Sequence, residues 1–463
     1  MKFNTTILNI IKLVSILNFL ILIGCDESKD KEPWVKIFDG KTLNGWAIKG
    51  GKATYEVKNS AIVGSTVTNT PNTFLCSDSL YGDFILELEY KVDPDLNSGI
   101  QIRSNSFPYY QEGRVHGYQV EIDPSDRAWS AGIYDEARRG WVYNLNDNQK
   151  AREAFKQNQW NKYRIEAIGD TIKTWINGVP ASHLIDDMTD KGFIGLQVHG
   201  IGNDKEKEGI QVAWKNLKII TTNVEQYSKT VDLKPKFTKN NLTEDELKKG
   251  WKMLWDGKTT KGWRGAKSKT FPESGWKIEN GELSVLASGG GESRAGGDIV
   301  TEELYGNFEL KVDFKLTEGA NSGIKYFVNT YLNKGEGSAI GLEFQILDDF
   351  KHPDAKKGNH KGSRTVASLY DLIEAENKVV NPVGEWNHAY ILSKNNHIEH
   401  WLNGIKVLEY ERKSDDYRKL VAESKYKTWD DFGEADNGNI LLQDHGDLVS
   451  FKNIKIRNLD NLK

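Results

Sequence analysis

The sequence predicts an all-β protein, two tandem antiparallel sandwiches of the jelly-roll type, and three observations carry that reading. The same motifs are written twice in the same order. Runs that alternate apolar and polar residues fill both halves, as strands with one buried face require. No amphipathic helix longer than about three turns is visible, which removes helical layers from consideration.

The chain has 463 residues, too many for one ordinary core, so two domains are the first expectation. Its N-terminus carries Lys2 and then an apolar run from Ile7 to Gly24, the charge-then-hydrophobe order of a secretory leader. Lys12 and Asn18 interrupt that run too much for a spanning helix. It ends Leu22-Ile23-Gly24-Cys25, which resembles the lipobox of bacterial lipoproteins. Residues 1–24 therefore read as a lipoprotein signal peptide, Cys25 as the lipidated residue and residues 25–33 as a polar tether. The expected location is the bacterial cell envelope, with the membrane touched through the lipid anchor only. With Cys25 acylated, Cys76 has no disulfide partner and reads as a small buried hydrophobe.

The first sandwich is expected over 34–220 and the second over 243–463, with 221–242 as linker. Phe38-Asp39-Gly40-Lys-Thr-Leu-Asn-Gly45-Trp46 returns as Trp255-Asp256-Gly257-Lys-Thr-Thr-Lys-Gly262-Trp263. Asn97-Ser98-Gly99-Ile100 returns as Asn321-Ser322-Gly323-Ile324, 224 positions later, and Gly117 as Gly341 at the same offset. Trp175-Ile-Asn177-Gly178 pairs with Trp401-Leu-Asn403-Gly404 at 226, and Gln197-Val-His199-Gly200 with Gln443-Asp-His445-Gly446 at 246. The last jump places an insertion of about twenty residues around 412–433 in the second copy.

Within each copy the strands declare themselves. Phe308, Leu310, Val312, Phe314 and Leu316 alternate with Glu309, Lys311, Asp313 and Lys315. Asn177-Gly178 and Asn403-Gly404 are the preferred pair for a type I′ hairpin, whose two central residues both need positive φ. Thr243-Glu-Asp-Glu246 is a capping box that opens a short helix at the start of the second copy.

Polar stripes on the strands mark candidate sites. Gln119, Glu121 and Asp123 share one face of a strand in the first copy. Glu343 and Gln345 occupy the positions of Gln119 and Glu121 in the second, with acid and amide exchanged. Gln197 and His199 line one face of a late strand, matched by Gln443 and His445. Residues 341–355 run from that strand into a loop bearing Asp348, Asp349, His352 and Asp354, donors suited to a sugar or a metal. Aromatic residues are abundant, with 14 Trp and 18 Tyr, which serves sugar stacking as well as core filling. The net charge is −4, or −6 once Lys2 and Lys12 leave with the leader, and no basic cluster interrupts it. No nucleic acid partner is expected.

Together these residues resemble the 3-keto-disaccharide hydrolase domain family, whose fold is a concanavalin A-like jelly roll. Phe-Asp-Gly-Lys-Thr-Leu-Asn-Gly-Trp at Phe38, Asn-Ser-Gly-Ile in both copies and Gly-Tyr-Gln-Val-Glu-Ile-Asp at Gly117 carry the resemblance. Further support comes from the Trp129 to Trp141 stretch, Gly341-Leu-Glu-Phe-Gln, His400-Trp-Leu-Asn-Gly and Leu442-Gln-Asp-His-Gly. The resemblance implies cleavage of glycosides oxidised to a ketone at C3, by a hydrolase or a 1,2-lyase. A C3 ketone acidifies the C2 proton, so a base, an acid for the leaving oxygen and a cation or donors on the C3 oxygen suffice.

His445 and His199 are the expected bases, and Glu343 and Glu121 the acids or metal ligands. Lys325, Gln345, Gln443, Gln119, Gln197, Tyr134 and Arg139 are expected to bind substrate. Asp348, Asp349 and His352 are expected to hold a divalent metal of unspecified identity, and no organic cofactor is expected. The second copy has more such groups and is the expected active module. A non-catalytic carbohydrate-binding surface protein and a retaining glycosidase on the same fold stay open as alternatives.

Overall fold

The computed structural model describes residues 33–460 apart from 109, 294 and 336. The leader, Cys25 and most of the tether lie outside the described residues. Among the described residues no helix is long and apolar enough to cross a membrane.

Each copy folds as two packed antiparallel sheets. In the first module, Phe84–Val92 runs between Asn161–Ile168 and Gln211–Ile220 in a nine-stranded sheet. Facing it is a seven-stranded sheet in the order Gly140–Tyr143, Ile133–Glu136, His116–Ile122, Ser98–Asn105, Gly192–Val198, Thr73–Tyr81, Trp46–Gly50. Leu86, Leu88 and Tyr90 from one sheet and Ile100, Ile102, Tyr118 and Val120 from the other close the core. In the second module an eight-stranded sheet centred on Phe308–Leu316 packs on a smaller one. That smaller sheet runs Trp263–Gly265, Ile299–Thr301, Asn439–Leu442, Asn321–Asn329, Ile340–Leu347.

Local sequence rules explain the elements. Phe308, Leu310, Val312, Phe314 and Leu316 are all buried, and Glu309, Lys311 and Lys315 are half-buried on the other face. Asp313 breaks the pattern, being buried on the outward side. Asn177 and Gly178, like Asn403 and Gly404, both have positive φ between paired strands. Thr243 and Glu246 form the reciprocal capping box before Glu244–Lys248. Cys76 is free and buried, and burial pushes its thiol up to about 12, so it is a core side chain and not a nucleophile.

Two features depart from a simple pair of beads. The inserted residues of the second copy contain the helix Asp415–Glu423, capped by Ser414. The expected linker is partly folded: Lys236–Phe237 adds to the first module's large sheet, parallel to Val179–Ile185. Contacts also tie the modules together, including Asn144 donating to Glu244 at 2.5 Å and the Lys452–Asp187 ion pair.

Candidate functional site

In both modules the smaller sheet turns one face to the core and the other outward. Along His116–Ile122, Tyr118, Val120 and Ile122 enter the core, so Gln119 and Glu121 point away from it. Asn97 donates to Glu121 at 2.6 Å, and Gln119 donates to its other oxygen at 2.9 Å. Gln101 in turn donates to Gln119 at 2.7 Å, and Ser104 to Gln101 at 2.7 Å. This places one carboxyl at the end of a chain of neutral amides. Burial outweighs those hydrogen bonds and lifts Glu121 from its ordinary 4.5 to about 7.

Beside it, the Arg127 guanidinium lies 3.8 Å from Glu121 and 4.9 Å from the ring centroids of both Trp129 and Trp141. Tyr134 meets Trp141 edge-on, 5.3 Å away. Gln197 is fully buried and neither of its amide atoms has a partner. His199 is exposed and its Nδ1 bonds the Gly200 carbonyl at 2.8 Å.

The second module repeats the register exchanged in charge. Lys325 stands opposite Glu343 as Gln101 stands opposite Gln119. Its ammonium is 3.4 Å from Glu343 and 2.5 Å from the Ser338 hydroxyl, which bonds Asp298. Both Lys325 and Glu343 are 4 % exposed. Burial opposes the charge on Lys325, but Glu343 and Asp298 overcome it and hold its pKa above the ordinary range. Burial lifts the Glu343 and Asp298 carboxyls against the pull of Lys325. Several acids sharing one buried cation leave the ammonium charged and the surplus carboxyl inclined to keep its proton.

Further along the same face, Gln345 donates to Asn321 at 3.4 Å, and Gln443 donates to Glu292 at 3.2 Å with its own carbonyl oxygen unpartnered. His445 is half-buried and its Nδ1 has no partner. The His352 ring stands perpendicular to it at 6.1 Å. A cavity of about 150 Å³ opens beside Lys325, walled also by Glu292, Ser338, Lys425, Tyr426 and Trp429. A groove of about 900 Å³ shares Glu292 and Gly337 with it and is lined further along by Asp298 and Lys267.

The glycine of Asn-Ser-Gly-Ile is explained by close approach. A Cβ at Gly99 would strike the Gln119 side chain, and one at Gly323 the Glu343 carboxylate. In each module the glycine makes room for a polar side chain from a diagonal position on the neighbouring strand.

Some expected residues are elsewhere. Arg139 does not reach the outer face: its guanidinium pairs with Asp135 at 2.5 Å and Asp186 at 2.7 Å, over the ring of the core residue Tyr118. Asp348, Asp349 and His352 do not form a metal site. Asp348 caps a turn, accepting from the amides of Gly319, Phe350 and Lys351. Asp349 accepts from Val366 N and the Lys378 ammonium, both at 2.7 Å. His352 accepts from Asp354 N at 3.2 Å, and burial with His445 nearby lowers its pKa. Asp123 likewise holds a turn through Ser125, Arg127 and Trp129 N.

Among the described residues one group could hold a metal ion, His397, Glu399 and Glu409, with ligand atoms within 4.8 Å of one another. Lys406 already pairs with Glu399 at 3.4 Å and Glu409 at 2.7 Å, so the donor set fits a cation poorly. Asp298, Ser338 and Glu292, along with Lys425, Tyr426 and Trp429 of the insertion, were not legible as site residues. Their one signal was a second-copy insertion that carries aromatic residues.

Residues 33–220 and 250–457 match the 3-keto-alpha-glucoside-1,2-lyase-like domain, and the chain belongs to that family. It is 37% identical over 231 residues to a 3-keto-disaccharide hydrolase of Bacteroides thetaiotaomicron, covering 46% of this chain and 79% of that one. A provisionally assigned glycosyl hydrolase of Parabacteroides distasonis, solved at 1.70 Å, is 33% identical. It covers 48% of this chain and 100% of its own, with a TM-score of 0.42. Another from the same organism, at 31% identity and TM-score 0.32, covers 42% of this chain and 99% of its own.

Proposed function

We propose that the second module cleaves glycosides already oxidised to a ketone at C3. The buried Lys325 ammonium, set among Glu343, Ser338 and Asp298 under a cavity, is the observation that carries this reading. A cation held in a dry site is what an enolate oxygen needs, and a substrate without a ketone makes no such charge.

In the proposed reaction His445 Nδ1 takes the C2 proton, and the C2–H electron pair forms the C2=C3 bond as the C3 oxygen becomes negative against Lys325. Collapse of that enolate restores the C3 carbonyl, forms C1=C2 and breaks the C1–O bond. The leaving oxygen takes a proton from Glu343, whose raised pKa keeps it protonated more readily than an ordinary carboxyl. Release gives a 2-hydroxy-3-keto-glycal, and addition of water across C1=C2 gives the hydrolase outcome. Gln345 and Gln443 bind sugar hydroxyls. A retaining glycosidase would set a second carboxylate across from Glu343, where Lys325 stands.

Incubating the protein with 3-keto-glucosides and with unoxidised glucosides, with and without a chelator, tests the reading. Turnover is expected of the keto compounds alone, slowed by deuterium at C2 where proton removal limits the rate. Rapid cleavage of the unoxidised glycoside with no exchange at C2 in heavy water would overturn it. We infer also that Cys25 is acylated and holds the protein on the cell envelope, since two or more acyl chains anchor stably. A Cys25→Ala protein that still fractionates with membranes would refute the anchor.

A further inference from the structure

Where the first module meets the outer face of the second module's large sheet, a cleft of about 600 Å³ is walled by both. That is the size of an ordinary small-molecule site. The first module contributes Phe107, Tyr110 and His116, and the second His388, Tyr390 and Trp401.

His388 is the unusual member. Its Nδ1 lies 2.7 Å from Asp313 Oδ1, and Asn453 donates to the other Asp313 oxygen at 2.6 Å. With Nδ1 engaged by the carboxylate, Nε2 is the ring nitrogen left to bond a ligand. That Nε2 is buried and has no partner. A buried polar nitrogen left unpaired is costly, so its retention on a cavity wall points to a ligand hydroxyl.

The rest of the wall is prepared for a sugar. Tyr390 and Trp401 meet edge to face with centroids 6.0 Å apart, and each is pinned by a hydrogen bond of 2.7 Å, to Glu309 and Glu399. Four of the cations at the wall are already engaged by acids. Lys311 and Lys455 share Glu246, at 2.9 and 2.8 Å, Arg138 pairs with Asp135, and Arg139 with both Asp135 and Asp186. Aromatic faces, an unpaired ring nitrogen and cations already engaged by acids describe a receptor for a neutral polyhydroxyl ligand.

The first module has the same scaffold without the site. Asn216 donates to Glu89 at 2.7 Å as Asn453 does to Asp313, but Lys162 stands in the place of His388 and pairs with Glu87 at 2.9 Å. We propose that the cleft between the modules is a second saccharide-binding site, in which His388 Nε2, oriented by Asp313, and the rings of Tyr390 and Trp401 receive a neutral sugar.

Titration calorimetry of the full chain with maltose, cellobiose and glucuronate tests this. At least one disaccharide is expected to bind. His388→Phe and Trp401→Ala should each weaken it tenfold or more, while His445→Ala leaves it unchanged. His388→Phe should also turn over the 3-keto substrate as the parent does. If one junction variant fails to fold, the other still decides. Absence of disaccharide binding, unchanged affinity in the folded junction variants, tighter binding of glucuronate, or loss in His445→Ala would each overturn the proposal. The binding readout needs no catalysis, so failure of the proposed activity is seen separately.

Discussion

The outer faces of the two smaller sheets share a geometry and differ in charge. In the first module Asn97 donates to an acid, Glu121; in the second the amide Gln345 donates to Asn321. Gln101 and Gln119 of the first become the ion pair Lys325 and Glu343 of the second. Duplication kept the register and the glycine under the side chain, moved the carboxyl two residues along the strand, about 7 Å, and added a cation. Two neutral amides satisfy each other at little electrostatic cost, whereas burying Lys and Glu together incurs desolvation that their attraction only partly repays. A pair kept at that cost in one copy of two is the ground on which the second copy is proposed as the one that does chemistry.

The sharpest way to break this comparison is at the imidazoles. His445→Ala is expected to lower turnover by about two to four orders of magnitude, the usual contribution of a positioned base, and His199→Ala to leave it nearly unchanged. Initial rates on a 3-keto-glucoside would reverse the ranking if only His199→Ala abolished turnover.

Lys325→Met should remove about two to three orders of magnitude of turnover and destabilise the fold by about 3–5 kcal/mol, because Glu343 is left without its cation. That carboxyl can escape by holding a proton, so the destabilisation should grow as pH rises. Adding Glu343→Gln should recover much of the stability and none of the activity. Gln101→Met in the first module should cost only about 1 kcal/mol, as read by urea unfolding.

A third difference shows in pH dependence. Glu121 has its pKa raised from 4.5 to about 7 in the fold, so the folded state holds a proton that the unfolded chain releases first. Its contribution is fully present below about 4.5 and is lost as pH rises through about 7, a change on the order of 3 kcal/mol. Unfolding midpoints of Glu121→Gln and the parent should converge at one end of that window and diverge at the other. Parallel curves would mean the carboxyl is not buried as described.

The smallest contrast is at the hairpins. Gly178 has φ +84° and nothing near its missing side chain, so Gly178→Ala should cost about 1–2 kcal/mol for the left-handed backbone alone. Gly404 has φ +81°, but a Cβ there would overlap the Tyr110 ring of the other module. Gly404→Ala should therefore cost more, and should also weaken disaccharide binding at the junction.

Much of this was legible because it is local or repeated. Alternation placed the Phe308 strand, Asn-Gly placed both hairpins, and the offset of 224 aligned Glu343 with Gln119. Legibility ended where distant residues decide. Arg139 sits five residues from Tyr134, yet Asp186, 47 residues further along, draws it away from the outer face. Asp348 and Asp349 look like ligands in sequence, and turn amides and Lys378 consume them. Asp298 and Ser338 come from loops with no counterpart among the repeated motifs, so nothing marked them as neighbours of Lys325.

The linker strand Lys236–Phe237 has a consequence for how the halves behave apart. It lies along Val179–Ile185, at the margin of the first module's large sheet. A bare strand margin invites pairing with another chain, and covering it guards against aggregation. A first module cut at residue 220 would expose that margin and self-associate. One ending at residue 242 would carry its own cover and stay dispersed.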